Sequence, residues 1–539
     1  MKEEAMETGD MNNTLLFENI LNITDQETLK HYLFENGCRT PEKKAFEWYD
    51  EKTDSITGVT YEQLMQDILS LGTEMYANDF KGKTVALIGG TNYNWVLLFL
   101  TVMCGKMTVV PLDPNLGISE LEKRIGHCEA DIVFCDESID FYQHASLSEN
   151  VRLIGLTETM MFRDHGTALL KQGNTLYTEE RVGGKDDVLM IFTSGTGGKM
   201  KAAVIRQENL IQEREVWYGL EFDKSKCLIL LPLYHIAGIG DLRGTLLVGT
   251  TAFFGSGIKR LLEDFQYVKP VNCFVVPAQA QLLAGILEGK DPEMAKKLLG
   301  GRLFAVRTSG APLTPKMREL FTQHQIDVTS DYGMTETCGP VSVSLKKNGK
   351  VFSKPGSVGH ILDKLDVKIA DPDEKGRGEI LIGGPSVFTG YFHDPEETVK
   401  ILKDGYIYTG DVGYIDEDRY LYIVGRKKNI IVLSNGENVI PEELEKNILS
   451  IDAVKECIVF EKNDKLAVRI YVEADLDDAD DEERQAYTEQ HRKELEKGIR
   501  EEIRRINTDL PHYKRIGIVE FSKDPLPKTA TGKLLREVH

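Results

Sequence analysis

The sequence is poor in cysteine: eight in 539 residues (Cys38, Cys104, Cys128, Cys135, Cys227, Cys273, Cys338 and Cys457), with no C-x-x-C pair. That spacing excludes a disulfide scaffold and a thiolate zinc site, and predicts reduced thiols in a cytoplasmic protein. Long hydrophobic runs are lacking too. The longest, residues 95–104, is followed closely by Lys106. It is about half the ~20 residues a membrane span needs, so it reads as a buried helix and no transmembrane segment is expected. The first dozen residues have no apolar core of the kind a secretory signal carries, and read as a loose tail. Positive charge is short: 65 Lys+Arg face 86 Asp+Glu, a formal charge of −21. A nucleic-acid partner is not expected, because a phosphate backbone would meet its own sign. A small anionic ligand is compatible with this balance, since a pocket can be positive inside a negative protein.

What is present describes a large globular protein, 41% hydrophobic and 28% charged. The length suggests two to four folding units. Apolar runs such as Lys83-Thr-Val-Ala-Leu-Ile88, Met107-Thr-Val-Val-Pro111, Ala130-Asp-Ile-Val-Phe-Cys135 and Asn272-Cys-Phe-Val-Val276 alternate with helix-length segments. Strands without polar alternation predict an α/β architecture of mostly parallel sheets covered by helices. From about residue 356, short strands separated by Gly and Asp turns predict a small antiparallel or barrel-like part. The basic turn Gly425-Arg-Lys-Lys428 then precedes a small α+β domain containing a helix over residues 482–510, stopped by Pro511. Its expected i,i+4 pairs are Glu496/Arg500 and Glu501/Arg505. The division is 1–425 for the large N-terminal domain, 426–428 for a hinge and 429–539 for the small C-terminal domain. Net charge splits into −17 before Arg426 and −4 from there on, with eight carboxylates packed into residues 473–483. That strip lacks the turn glycine and closing glutamate of a calcium loop and reads as a solvated acidic segment.

Five short segments carry chemistry. In Ile191-Phe-Thr-Ser-Gly-Thr-Gly-Gly-Lys-Met-Lys201 an apolar strand runs into a loop of hydroxyls, glycines and lysines, suited to curling backbone N–H groups round a phosphate. It is not a Walker A loop, which needs Gly where Thr193 stands and Ser or Thr at Met200. Thr329-Ser-Asp-Tyr-Gly-Met-Thr-Glu336 offers an aromatic ring, a hydroxyl and a carboxylate able to hold Mg²⁺. Tyr408-Thr-Gly-Asp-Val-Gly413 puts Asp411 in a tight turn, where a carboxylate suits two ribose hydroxyls. Gly425-Arg426 and Pro527-Lys-Thr-Ala-Thr-Gly-Lys533 complete the set. The first alone reads as a phosphate loop; each of the other four alone reads as a turn.

Together, in this order across some 340 residues, they resemble the adenylate-forming superfamily of acyl-CoA synthetases, peptide-synthetase adenylation domains and firefly luciferase. The resemblance covers the chain from about residue 40 to its end. It implies a two-step, ATP-dependent acid–thiol ligase: a carboxylate, here that of a medium- or long-chain fatty acid, forms acyl-AMP, and the thiol of coenzyme A displaces AMP. By the same resemblance Thr193, Ser194, Gly195, Thr196, Gly197, Gly198, Lys199 and Lys201 would hold the phosphates, and Ser309, Gly310, Ala311, Pro312, Asp331, Tyr332 and Gly333 would frame the adenine. Thr335 would touch the α-phosphate, Glu336 with Thr196 would hold Mg²⁺, and Asp411 and Arg426 would take the ribose. Lys533 would bridge carboxylate and α-phosphate, with Lys528 as its rival in the same segment. Lys428 would be the hinge, Gly436 would border the thiol channel, and His235 would gate the acyl site. Gly238, Gly240 and Gly244 leave room for an acyl chain or ease helix packing. The loop departs from the family pattern at Gly197, Met200 and Ala202; one lost hydroxyl donor is worth ~1 kcal/mol and predicts a working enzyme with weaker ATP affinity. Two other readings stand beside this one: loading of an acyl carrier protein in place of coenzyme A, and a nucleotide-binding module without catalysis.

Overall fold

The computed structural model describes residues 15–193, 200–214, 217, 226–308, 313, 315–347, 350–434, 436–451, 453–472, 482–528 and 534–536. A seven-stranded sheet runs in the order Gly390–Tyr391, Ala202–Arg206, Asp187–Phe192, Thr108–Leu112, Thr84–Ile88, Ile132–Cys135, Arg152–Gly155. The last five are parallel, and Ala202–Arg206 runs antiparallel to both of its neighbours. Parallel strands covered on both faces require apolar residues throughout, and the Thr84–Ile88 strand buries every residue after Thr84. The apolar run at 95–104 belongs to the helix Tyr93–Met103, whose cap Asn92 accepts a hydrogen bond from Trp95 N at 3.0 Å. Among the described residues no helix is long and apolar enough to cross a membrane. All eight cysteines are free, and burial pushes the thiols of Cys104, Cys128, Cys135 and Cys273 up to about 12, which leaves them inert.

A second sheet combines Ser55–Thr60, Lys44–Asp50, Ala252–Phe254 and Cys227–Ile229; a third combines Asn272–Val275, Ala305–Thr308 and Asp327–Ser330 in parallel. The barrel-like part is built from Tyr332–Met334, Gly339–Val343 and His360–Ile361 on one side and a five-stranded antiparallel sheet, including Gly378–Gly383, Tyr406–Ile415 and Leu421–Arg426, on the other. His360 bridges to Tyr420, so the two sheets wrap one small core of Val341, Val343, Ile361, Ile380, Ile382 and Leu421.

Beyond the short turn Lys427–Asn429 the chain forms a separate core. The strands Glu456–Lys462, Lys465–Tyr471 and Ile516–Ser522 are covered by the helix Glu482–Thr508 through Ile499 and Ile503. The helix pairs differ from those expected. Arg500 donates to the Val519 carbonyl at 3.0 Å, while Arg492 bonds Glu496 and Arg505 bonds Glu502, because the neighbouring strand captures Arg500. Across the junction, Glu443 accepts from Arg377 Nη1 at 2.8 Å, and within the small domain it accepts from Lys514 Nζ at 2.7 Å. The tail 1–14 and the acidic residues 473–481 lie outside the described residues.

Candidate active site

The strands Tyr406–Ile415 and Leu421–Arg426 pair antiparallel with Asp411 opposite Arg426. Asp411 was expected in a tight turn; it stands inside a strand. The Thr-Gly-Asp turn signal is instead a bulge, because Glu379 and Leu381 pair with Val412 and Tyr408, leaving extra residues between them, and Gly410 takes φ +69°. The bulge turns the Asp411 carboxylate toward Tyr332, whose hydroxyl donates to Oδ2 at 2.6 Å, while Arg426 Nε donates to Oδ1 at 2.6 Å. Asp411 is buried and Arg426 half-exposed. Burial, then the Asp411 charge, pushes the Tyr332 hydroxyl well above its ordinary value, so it remains a donor. Beside this trio lies a hollow of about 360 Å³ lined by Thr409, Gly410, Arg426, Lys427 and Lys428.

Thr335 opens the short 3₁₀ turn Thr335–Thr337, which buries Glu336. Glu336 Oε1 accepts from the Tyr391 hydroxyl at 2.5 Å. Lys201, in turn, pairs with Glu397 and lies 5.1 Å above the Tyr391 ring. Hydrogen bonds from Lys201 and Lys400 hold the Glu397 carboxyl down to about 2. Thr193 N donates to the Lys201 carbonyl at 3.0 Å, tying together the two ends of the phosphate-loop candidate. Ser194, Gly195, Thr196, Gly197, Gly198 and Lys199 lie outside the described residues, as do Ser309, Gly310, Ala311, Pro312 and Lys533. Glu336 is thus the one described member of the expected magnesium pair Glu336 and Thr196, and no group of three or more His, Cys, Asp or Glu side chains among the described residues could hold a metal ion. A lone carboxylate fits Mg²⁺, which is commonly held by one or two carboxylates plus substrate phosphates.

Asp331 does not present its carboxylate to a base. It is turned inward and receives Arg307 Nε at 3.1 Å and Nη2 at 2.8 Å. Gly333 is fixed by packing, since a β-carbon there would overlap the Gly339 carbonyl oxygen. Gly436 adopts φ +84°, which favours glycine, and Lys428 lies in the turn Lys427–Asn429.

His235 caps the buried helix Ile236–Val248 and is exposed. The three glycines of that helix divide. A β-carbon at Gly238 would overlap the Pro232 carbonyl, and one at Gly244 the Trp217 indole. At Gly240 it would meet no described atom within 4 Å, although Gly240 is buried. Two of the three therefore serve packing. Gly244→Ala is expected to cost about 1–3 kcal/mol by overpacking, read as a lower melting temperature.

Tyr391, Glu397, Arg307 and Asp241 were not picked out in the sequence. Tyr391 reaches Glu336 because the two-residue strand Gly390–Tyr391 pairs with Ala203 and Val204. No spacing signal announces such a contact.

A large α/β domain, a small α+β domain and a nucleotide-type constellation at their junction define an adenylate-forming ligase. Residues 33–392 match the AMP-binding enzyme family and residues 428–539 the AMP-binding enzyme C-terminal domain, so the chain belongs to the AMP-binding enzymes. It is 27% identical over 501 residues to a 2-succinylbenzoate–CoA ligase of Listeria monocytogenes, covering 88% of this chain and 93% of that one. It is 25% identical over 565 residues to a long-chain-fatty-acid–CoA ligase of Bacillus subtilis, covering 95% and 93%. Among solved structures, the O-succinylbenzoate coenzyme A synthetase of Bacillus subtilis in complex with AMP shares the fold, with TM-score 0.70, 23% identity and 94% and 97% coverage.

Proposed function

We propose that this AMP-forming acid–thiol ligase joins a carboxylic acid to coenzyme A through an acyl-adenylate, using Tyr332, Asp411 and Arg426 to hold the nucleotide. The observation that carries the reading is the Asp411 carboxylate, buried and addressed by both Tyr332 and Arg426, in a chain matched along its length by AMP-binding enzymes. A fixed carboxylate with a neighbouring tyrosine and arginine can accept from two adjacent ribose hydroxyls and define the direction of the phosphates. Relatives of comparable similarity are named coenzyme A ligases, which favours free coenzyme A as acceptor; nothing in the site favours a carrier protein.

In the first step a carboxylate oxygen attacks the α-phosphorus and pyrophosphate leaves. In the second, the thiol attacks the acyl carbon and AMP leaves. The obstacle in the first step is bringing an anion onto an anion, so positioning and positive charge do most of the work. Lys201 and the N–H groups of the loop would receive the outer phosphates, and Lys533 the carboxylate and the α-phosphate. Mg²⁺, held through Glu336, would supply neutralising charge on the phosphates. Tyr391 fixes the Glu336 carboxylate, so it does not need to reorganise when the nucleotide binds. The hinge at Lys428 would let residues 429–539 bring Lys533 in for adenylation and the Gly436 turn in for thioester formation.

Similarity does not rank the acids. A 2-succinylbenzoate ligase and a long-chain-fatty-acid ligase stand at 27% and 25% identity, so the fatty-acid expectation gains no special support. ATP–pyrophosphate exchange over fatty, aryl and amino acids, followed by product analysis with coenzyme A and with a carrier protein, is the deciding measurement. Exchange with one acid class and a coenzyme A thioester product is expected. Absence of exchange with every acid would return the chain to the class of non-catalytic nucleotide binders.

A further inference from the structure

The sheet of Asn272–Val275, Ala305–Thr308 and Asp327–Ser330 has two unlike faces. Cys273, Val275 and Val306 point into an apolar core with Leu283 and Phe321. On the other face Arg307 stands in register between Phe274 and Thr329, with Asn272 beside Ala305. A buried strand face is ordinarily apolar. This one is polar and incompletely paired: among the described residues Asn272 Nδ2, Arg307 Nη1 and Thr329 Oγ1 have no hydrogen-bond partner. The same holds for Oδ2 of Asp241, which reaches in from the helix Ile236–Val248. Asp241 and Thr329 are each 2% exposed. Asp241 Oδ1 lies 3.9 Å from Arg307 Nη1, too far for a hydrogen bond. Buried polar atoms in folded proteins nearly always have partners, so unpaired atoms on one sheet face and on the Asp241 carboxylate that faces Arg307 point to a group that supplies them.

The charges show what kind of group fits. Arg307 is matched by Asp331 and Arg243 by Glu213, both as buried pairs. Asp241 is the odd carboxylate of the cluster. Burial pushes its carboxyl up to about 7, with Arg307 opposing and Asp331 and Glu213 adding to the shift. A further carboxylate would meet Asp241 with its own sign, and a plain alkyl end would leave all four atoms unpaired. A hydroxyl or an amine donates to Asp241 and, in the hydroxyl's case, accepts from Arg307 as well.

The spot is also placed for a substrate. Arg307 holds Asp331, the residue before Tyr332. Asp241 follows the helix cap His235 by six residues, ~9 Å along the axis. Next to it, Gly240 is buried, yet a β-carbon there would meet no described atom within 4 Å. An acid with its reacting carboxylate near the nucleotide would run along this helix toward Asp241.

We propose that Asp241 and Arg307 form the far end of the acid-binding site and select a carboxylic acid bearing a hydrogen-bond-donating hydroxyl or amine over a plain alkyl acid. This rests on the ligase reading of the same site. Asp241 is a specificity residue, remote from the reacting atoms.

The test is ATP–pyrophosphate exchange by the full chain with matched acids: cinnamic against 4-hydroxycinnamic and 4-aminocinnamic, and octanoic against 8-hydroxyoctanoic and 8-aminooctanoic. Wild type is expected to favour a donor-bearing acid over its plain counterpart by at least about tenfold in kcat/KM, since a site built to hydrogen-bond rejects the analogue lacking the group. Asp241→Leu should bring that ratio to within about threefold by raising the KM of the donor acid, with the KM for ATP unchanged. If that variant does not fold, Asp241→Asn keeps the shape and removes the charge: it should fold as wild type and lose about fivefold or more in kcat/KM for the donor acid only. Equal or better use of the plain acids by wild type, or an unchanged ratio in the folded variant, overturns the specificity inference alone. No exchange with these or any other acid overturns the ligase reading and this inference with it.

Discussion

Lys533→Ala is expected to lower ATP–pyrophosphate exchange by about 10²–10³-fold, the cost of removing one group that stabilises developing charge. Thioester formation from supplied acyl-adenylate and coenzyme A should stay close to wild type. The two half-reactions separate because the lysine is asked to act only where carboxylate meets α-phosphate. Lys533 lies outside the described residues, but both flanks of its segment are fixed. Lys528 and Leu534 are bridged, and Leu535 N donates to the Pro527 carbonyl at 2.8 Å. Arg536 is held by Glu445 through bonds of 2.8 and 2.6 Å, and Lys528 pairs with Glu456. The chain on either side of residues 529–533 is therefore clamped to the C-terminal core, whose rotation would carry that segment. The same clamp removes the rival. Lys528 is spent on Glu456, so Lys528→Ala should leave exchange within about threefold of wild type, the effect of losing a surface ion pair. Exchange surviving in Lys533→Ala but failing in Lys528→Ala would reverse the assignment.

The legible part of this molecule is what local pattern controls. Apolar runs marked the central strands to within a few residues; Lys83–Ile88 is observed as Thr84–Ile88 and 272–276 as Asn272–Val275. A helix-length apolar run with a capping residue before it gave Tyr93–Met103. The order of motifs was enough to suggest Tyr332, Asp411 and Arg426 as neighbours, and the fold brings them within hydrogen-bonding distance. What escaped depends on pairing between distant segments. The turn-like Thr-Gly-Asp became a bulge because two opposing strands fixed the register around it. Tyr391 meets Glu336, and Lys201 meets Glu397, only because a two-residue strand docks on Ala202–Arg206. Asp331 resembles an adenine contact in its motif, yet a buried arginine from the neighbouring strand claims its carboxylate. Polar residues inside a sheet face carry no local signature, so nothing in the sequence marks Arg307 and Thr329 as neighbours on one polar face.

Asp411→Ala is expected to cost about 10²–10⁴-fold in kcat/KM for ATP, because hydrogen bonds to a charged group are worth about 1.5–3 kcal/mol each and a ribose would lose two. The carboxylate also has a structural task. It receives the Tyr332 hydroxyl and the Arg426 guanidinium, so its removal leaves a half-buried phenol without this acceptor and an arginine without this counter-charge. A stability loss of about 1–3 kcal/mol should accompany the kinetic one. The two effects come apart in milder variants. Tyr332→Phe removes one donor and leaves the charge pair, and Asp411→Asn keeps the shape while removing the charge. If Asp411 serves the nucleotide, Asp411→Asn raises the KM for ATP with the KM for the acid unchanged. If its task is only to brace Tyr332 and Arg426, both Michaelis constants move together with the melting temperature. A double-mutant cycle between Tyr332→Phe and Asp411→Asn should then show coupling of about 0.5–3 kcal/mol, the range for directly bonded side chains. Coupling near zero would mean that the 2.6 Å contact between them does not contribute, and that Asp411 acts on the nucleotide independently of Tyr332.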